Sequence, residues 1–236
     1  MAPTRLFDCP GDTLEAKLLL AQRRRLDPDS AVEGRMRRLG RFLRTLGRPV
    51  PRTLALADAL PWLVPKVRPR LAYEIFAQST GQSAPEFRPL AGTLAVSLVV
   101  DLPNQDLDLG AAQLRAWNAD FDGLLQTARR NLLARGGERA FLEVGKGRYR
   151  SPWRDGLDGS RILLPSLFSR LTLRGDPVAV LADRDTLLVV GDQDPEGLRW
   201  ALDAALRSQC DPDPGAGLCP LRLRNLRWEA RSLTGS

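Results

Sequence analysis

Histidine is absent from all 236 residues. Without imidazole there is no Ser-His-Asp triad, no Cys-His dyad and no histidine-based metal site. General acid–base chemistry would fall to carboxylates, Lys, Tyr or Cys. Lys and Tyr are themselves scarce, at Lys17, Lys66 and Lys146 and at Tyr73 and Tyr149, so carboxylates would dominate. Cysteine is limited to Cys9, Cys210 and Cys219. No pair has CxxC spacing, which leaves a zinc knuckle or a thioredoxin-like motif unsupported. Cys210 and Cys219 flank a Pro/Gly/Asp loop and could approach each other, but no disulfide is assigned. Met1 to Asp12 has no apolar core of signal-peptide length. Three thiols without an export signal fit a reducing cytoplasm. No window reaches the ~18 uncharged apolar residues that a membrane span needs. Internal repeats and low-complexity tracts are missing as well.

What remains is an ordinary globular composition, 43% apolar and 27% charged. A chain of this length can bury one core, with or without a small appendage. The formal charge of +7 is unevenly placed: residues 1–52 hold twelve basic and six acidic side chains, and so carry +6 of it. A basic arm joined to a nearly neutral body hints at a polyanionic partner. Nearly all the basic residues are arginine, a bias that also suits solvated charge in a protein from a GC-rich genome.

The spacing predicts helices over 13–26, capped by Asp12 and ended at Asp27-Pro28, and over about 30–46. In the second, Met36, Leu39, Leu43 and Leu46 form one apolar stripe. Residues 48–70 are punctuated by five prolines, with a short helix expected at 53–60 and Trp62 expected to anchor against the body. Residues 1–85 are read as a basic helical arm or subdomain and 86–236 as an α+β body. In the body, TLAVSLVVDL (93–102) reads as a buried strand, followed by a turn at Asn104-Gln105-Asp106. A helix over 119–134 would turn Phe121, Leu124, Leu125, Ala128, Leu132 and Leu133 inward and stop at Gly136-Gly137. Hairpins are expected around Gly145-Lys146-Gly147 and around Asp183-Arg184-Asp185. Residues 160–172 look helical with a break near Pro165, 195–208 helical with Asp194 as cap, and 221–230 a one-faced final strand. This alternation predicts an α+β fold, a mixed or antiparallel sheet with helices packed on one side, preceded by the Arg-rich helical arm.

Three pieces of the body carry a resemblance. They are the strand reaching Asp101 with the helix ending in Ala128-Arg129-Arg130-Asn131-Leu132, the run Asp155-Gly156-Leu157-Asp158-Gly159-Ser160-Arg161-Ile162-Leu163, and the hairpin around Ala182-Asp183-Arg184-Asp185. In order and spacing, residues 92–205 resemble the DUF1444 (YtpQ-like) family of bacterial proteins. The resemblance implies a fold and a cytoplasmic bacterial setting; that family has no established reaction and implies no active site.

Candidate sites follow from residue chemistry. Asp155 and Asp158, three apart beside Ser160 and Arg161, could hold a hard cation, with Arg161 near a phosphate. Cap and turn chemistry also accounts for them: Asp158 or Ser160 would cap the next helix and Asp155-Gly156 would turn. Asp183 and Asp185 could meet Asp101 or Asp158 as a metal or acid–base site, though hairpin turns select Asp anyway. Gly145-Lys146-Gly147 lacks the GxxxxGK[ST] pattern of a phosphate loop. In the arm, Arg23, Arg24, Arg25, Arg35, Arg38, Arg41 and Arg44 are the candidate polyanion contacts. No helix-turn-helix, no RRM and no interleaved aromatics accompany them. The leading expectation is a non-enzymatic cytoplasmic interaction or regulatory module with no cofactor, bound to a protein partner or to a second copy. Nucleic-acid binding through the arm, and a metal-dependent phosphoryl-transfer or hydrolytic enzyme using Asp, are the alternatives.

Overall fold

A computed structural model describes residues 48–51, 53–73, 85–103, 105–136, 138–183, 185–208, 220–224 and 227–230. The helices expected at 13–26 and 30–46, all seven arm arginines and the three cysteines lie outside the described residues.

The described residues form two sheets. In the first, β1 (Arg48–Pro49), β5 (Gln105–Asp108), β4 (Leu94–Leu102) and β2 (Leu63–Pro69) lie in that order, and β3 (Phe87–Pro89) also pairs with β4. Every pairing is antiparallel except the two-residue one between β1 and β5. The second sheet runs β11 (Arg227–Ala230), β10 (Leu221–Arg224), β8 (Pro177–Asp183), β9 (Thr186–Gly191), β7 (Arg148–Arg150), β6 (Leu142–Gly145), and is antiparallel throughout. Among the described residues are also the helices α1 (Leu56–Ala59), α2 (Ala111–Ala116), α3 (Phe121–Gly136) and α4 (Pro195–Ser208), with 3₁₀ turns at Leu60–Trp62, Gly159–Leu163 and Pro165–Leu167. The fold is α+β, antiparallel sheets with helices packed against them: α3 against β2, α4 against β8 and β9.

Local chemistry explains the strongest elements. Residues 94–100 of β4 are all buried, as a strand covered on both faces must be, and all of them are apolar but Ser97. Asp120 caps α3 by accepting the Gly123 N–H at 2.9 Å, and Asp194 caps α4 by accepting that of Gly197 at 2.9 Å. One apolar cluster joins Leu98, Val100 and Leu107 of the first sheet to Leu181, Leu187 and Val189 of the second, through Phe121, Phe141 and Phe168.

Several expectations need correction. The proline-punctuated stretch contains β2, paired along its whole length with β4. Two prolines are tolerated because, among the described residues, β2 ends the sheet and has a ladder on one side only. Trp62 does not anchor; it is 39% exposed. Leu133 does not face inward either, at 46% exposed, while Phe121, Leu124, Ala128 and Leu132 of the same helix are buried. Gln105 and Asp106 belong to β5, so the turn is tighter than expected. Residues 221–230 make a hairpin of two strands, not one. The 160–172 helix is two 3₁₀ turns separated at Leu164.

Candidate functional site

The loop between β7 and the Gly159–Leu163 turn builds a buried polar knot. The Arg161 side chain is 0% exposed. Its two terminal nitrogens donate to both Asp155 oxygens, at 2.8 and 2.7 Å. Its guanidinium lies over the Trp153 ring, 4.2 Å from the centroid, and Asp158 Oδ2 is 3.9 Å away. A planar fork stacked on an indole and closed by one carboxylate is the geometry arginine favours when desolvated. Trp153 is held in turn by its Nε1–H, which donates to the Gly136 carbonyl at 3.0 Å.

Asp155 also accepts the Leu157 N–H at 3.0 Å, closing the turn expected there. Neither Asp158 nor Ser160 acts as the expected cap. Asp158 stands at the cap position with helical backbone and makes no capping bond. Ser160 Oγ instead accepts the Val67 N–H of β2 at 3.1 Å, from 93 residues away. Asp158 is fully buried; its Oδ1, like Arg161 Nε, has no hydrogen-bond partner among the described residues. Burial pushes the Asp158 carboxyl above its ordinary value, against the pull of Ser151 and Arg161. For Asp155 burial acts the same way, but the Arg161 bonds and charge outweigh it and hold the carboxyl below the usual range.

The second aspartate pair meets this loop only in part. Asp185 Oδ1 accepts the Gly156 N–H at 2.6 Å, whereas Asp183 Oδ1 accepts the Asp185 N–H at 2.7 Å within its own turn. Among the described residues, no group of three or more Asp, Glu or Cys side chains is placed to hold a metal ion. At the other hairpin, Glu143 takes the Gly147 N–H at 3.0 Å, a donor that a phosphate cradle would need.

The structure also assembles a polar ladder that the sequence reading missed. On one face of the first sheet, Asp101 of β4 stands opposite Asp106 of β5. Asp106 is ion-paired with Lys66 of β2, and Asp101 with Arg135 of α3. Two strand positions further, Arg68 Nη1 lies 3.5 Å from Asp108 Oδ1, and the buried Tyr73 hydroxyl donates to Ser97 Oγ at 2.9 Å. Asp101 is pushed up by burial and by its hydrogen bond with Asp106; Asp106 is held down, against burial, by that same bond and by Lys66. Two carboxylates this close titrate as a pair, one raised as the other is lowered. The sequence signal of the ladder was the tight turn after Leu102, which sets residue 101 opposite 106; the cations come from distant segments.

Compared with protein-family models, with curated proteins and with solved structures, the chain matches none.

Proposed function

We propose that this chain is a non-enzymatic interaction or regulatory module of the bacterial cytoplasm, related over residues 92–205 to the DUF1444 (YtpQ-like) proteins, and that it engages an acidic protein surface through its basic segment 1–52. One observation carries the reading for the body. Three of the aspartates that a hydrolytic or phosphoryl-transfer reading would use are engaged internally, Asp155 with Arg161, Asp183 with its own turn and Asp185 with the Gly156 N–H, and the fourth, Asp158, is closed to solvent. A buried arginine with both terminal nitrogens bound to one carboxylate has little left for a substrate phosphate. The basic segment supplies the complementary feature, with +6 of the chain's +7 in residues 1–52.

The test is fluorescence anisotropy of the full chain with poly-glutamate, duplex DNA and single-stranded RNA at 50 and 200 mM salt. The proposal expects poly-glutamate to bind at least as tightly as either nucleic acid, and the arm variant with Arg35, Arg38, Arg41 and Arg44 changed to Gln to lose that binding. Binding confined to nucleic acid, falling steeply with salt, would replace it with the phosphate-backbone reading. Phosphoester turnover lost in a folded Asp158→Asn or Asp185→Asn variant would replace it with an enzyme.

A further inference from the structure

The second sheet ends at β11, which among the described residues pairs only with β10. Arg227, Glu229 and Ala230 of this strand are exposed, and Trp228 is half-buried. The Trp228 Nε1–H donates to the Ile162 carbonyl at 2.6 Å, and its ring meets Phe168 edge-on with centroids 5.0 Å apart. An indole that packs its ring and also places its N–H is a strong single anchor. Strand β10 is fastened on its own account. Leu221 and Leu223 are buried in the shared core, and Leu221 and Arg222 pair with β8. Arg222 Nε lies 3.2 Å from Asp176 Oδ2 and 3.2 Å from Asp192 Oδ2. Charges across the β10–β11 ladder are divided. Arg222 stands opposite Glu229 and attracts it, whereas the exposed Arg224 and Arg227 stand opposite each other and repel.

We infer that β11 is a strap fastened to the Gly159–Leu163 turn, latched by Trp228 and able to open while the rest of the second sheet stays folded. Local opening takes place where few buried contacts hold an element and its hydrogen bonds border solvent. Strand β11 meets both conditions, and Trp228 is the side chain that it drives into the body. The Arg224–Arg227 repulsion acts against closure one residue away from the group that favours it. Neighbouring side chains thus pull the strap in opposite directions, as two positions close in free energy require. Opening takes the indole donor from the Ile162 carbonyl and bares the edge of Phe168. It also frees the outer main-chain groups of β10. The Arg161 bonds to Asp155 use no atom of β11 and persist. The inference rests on β10, β11 and the two contacts of Trp228, and not on the arm.

Amide hydrogen exchange of the full ¹⁵N-labelled chain, followed by NMR in low concentrations of urea, tests it. The protected amides of β11 should exchange at least about tenfold faster than those of β8 and β9, and with little dependence on urea, because a strap exposes little surface. Trp228→Phe keeps a ring beside Phe168 and loses the N–H. It should speed β11 exchange about three- to tenfold, since the latch is broken in the open state. Arg227→Glu turns the repulsion with Arg224 into attraction at an exposed position and should slow β11 about two- to fivefold. Asp194→Ala removes the cap of α4 and touches nothing in β11. It should speed exchange in β8 and β9, which open with the whole fold, and leave β11 unmoved. Circular dichroism checks that each variant is folded. The inference is overturned if β11 exchanges as slowly and with the same urea dependence as β8 and β9, or if Asp194→Ala speeds all three strands alike. A β11 rate indifferent to Trp228→Phe, or not slowed by Arg227→Glu, overturns it equally.

Discussion

Two pairs of aspartates in this chain have opposite histories in the fold. Asp155 and Asp158 lie three residues apart on one loop and share a single arginine that is closed to solvent. Asp101 and Asp106 face each other across a hairpin, and each has a separate cation from a distant element at a half-exposed surface. The first pair is assembled almost entirely by local chain and serves packing: its arginine stacks on Trp153, and its neighbour Ser160 closes the edge of β2. The second is assembled only when β2, β4, β5 and α3 come together. Burial converts charge pairs into structural commitments; exposure leaves them adjustable.

The widest separation between the two regions should come from removing the arginines. Arg161→Leu strands the buried Asp158 and removes both bonds to Asp155, and breaking a buried pair costs about 3–5 kcal/mol. Urea unfolding followed by circular dichroism measures it. A loss below ~1 kcal/mol would mean that the knot is no more than a surface pair. Next in size is Ser160→Ala. It leaves the Val67 N–H of β2 buried without its acceptor and should lower stability by about 1–3 kcal/mol in the same assay. No loss would mean that water reaches this edge.

That second prediction also shows where the sequence was legible. The β-branched run of β4, the Asp194 cap of α4 and both polar hairpin turns are local signals, and the structure has them where the pattern put them. The charged residue types of the knot were legible too, within 155–161, but the Trp153 ring under Arg161 was not. Their roles were not. Ser160 reads as a cap until β2 is in place, and β2 was hidden because Pro65 and Pro69 look like linker chemistry. The ladder was hidden for the same reason, since Lys66 rides on β2 and Arg135 on α3. Trp62 and Leu133 failed differently: apolar type alone does not fix which way a residue faces near the end of an element.

Acid titration distinguishes the two aspartates inside the knot. Asp155 has a lowered folded pKa, so its contribution is present above the ordinary aspartate value and lost as pH falls through the folded one. Asp158 has a raised folded pKa, so stability falls as pH rises from the ordinary value through the raised one. Relative to wild type, Asp155→Asn should therefore lose ground with rising pH, whereas Asp158→Asn should gain it. Unfolding free energies from pH 3 to 7 give both slopes. Parallel slopes would mean that Arg161 treats the two carboxylates alike.

In the ladder, Arg135→Met should cost no more than about 1 kcal/mol, because both partners are part-exposed and water screens the pair. Added salt should shrink even that difference, while leaving the Arg161 effect nearly intact. An Arg135→Met loss as large as that of Arg161→Leu, or as resistant to salt, would erase the distinction between the two regions.

The smallest expected effect is on the titration of Asp101. Asp101 is raised first by burial and then by Asp106, so Asp106→Asn removes the second cause and leaves the first. The Asp101 midpoint should fall. Arg135→Gln should move it the other way, since the guanidinium is what favours the ionised form there. Carboxyl ¹³C chemical shifts followed from pH 2 to 8 resolve both. Opposite movements make Asp101 and Asp106 one titrating unit, whose proton position is set by two removable neighbours. An Asp101 midpoint unmoved by Asp106→Asn would mean that the two carboxylates titrate independently, and the ladder would then be only a row of separate ion pairs.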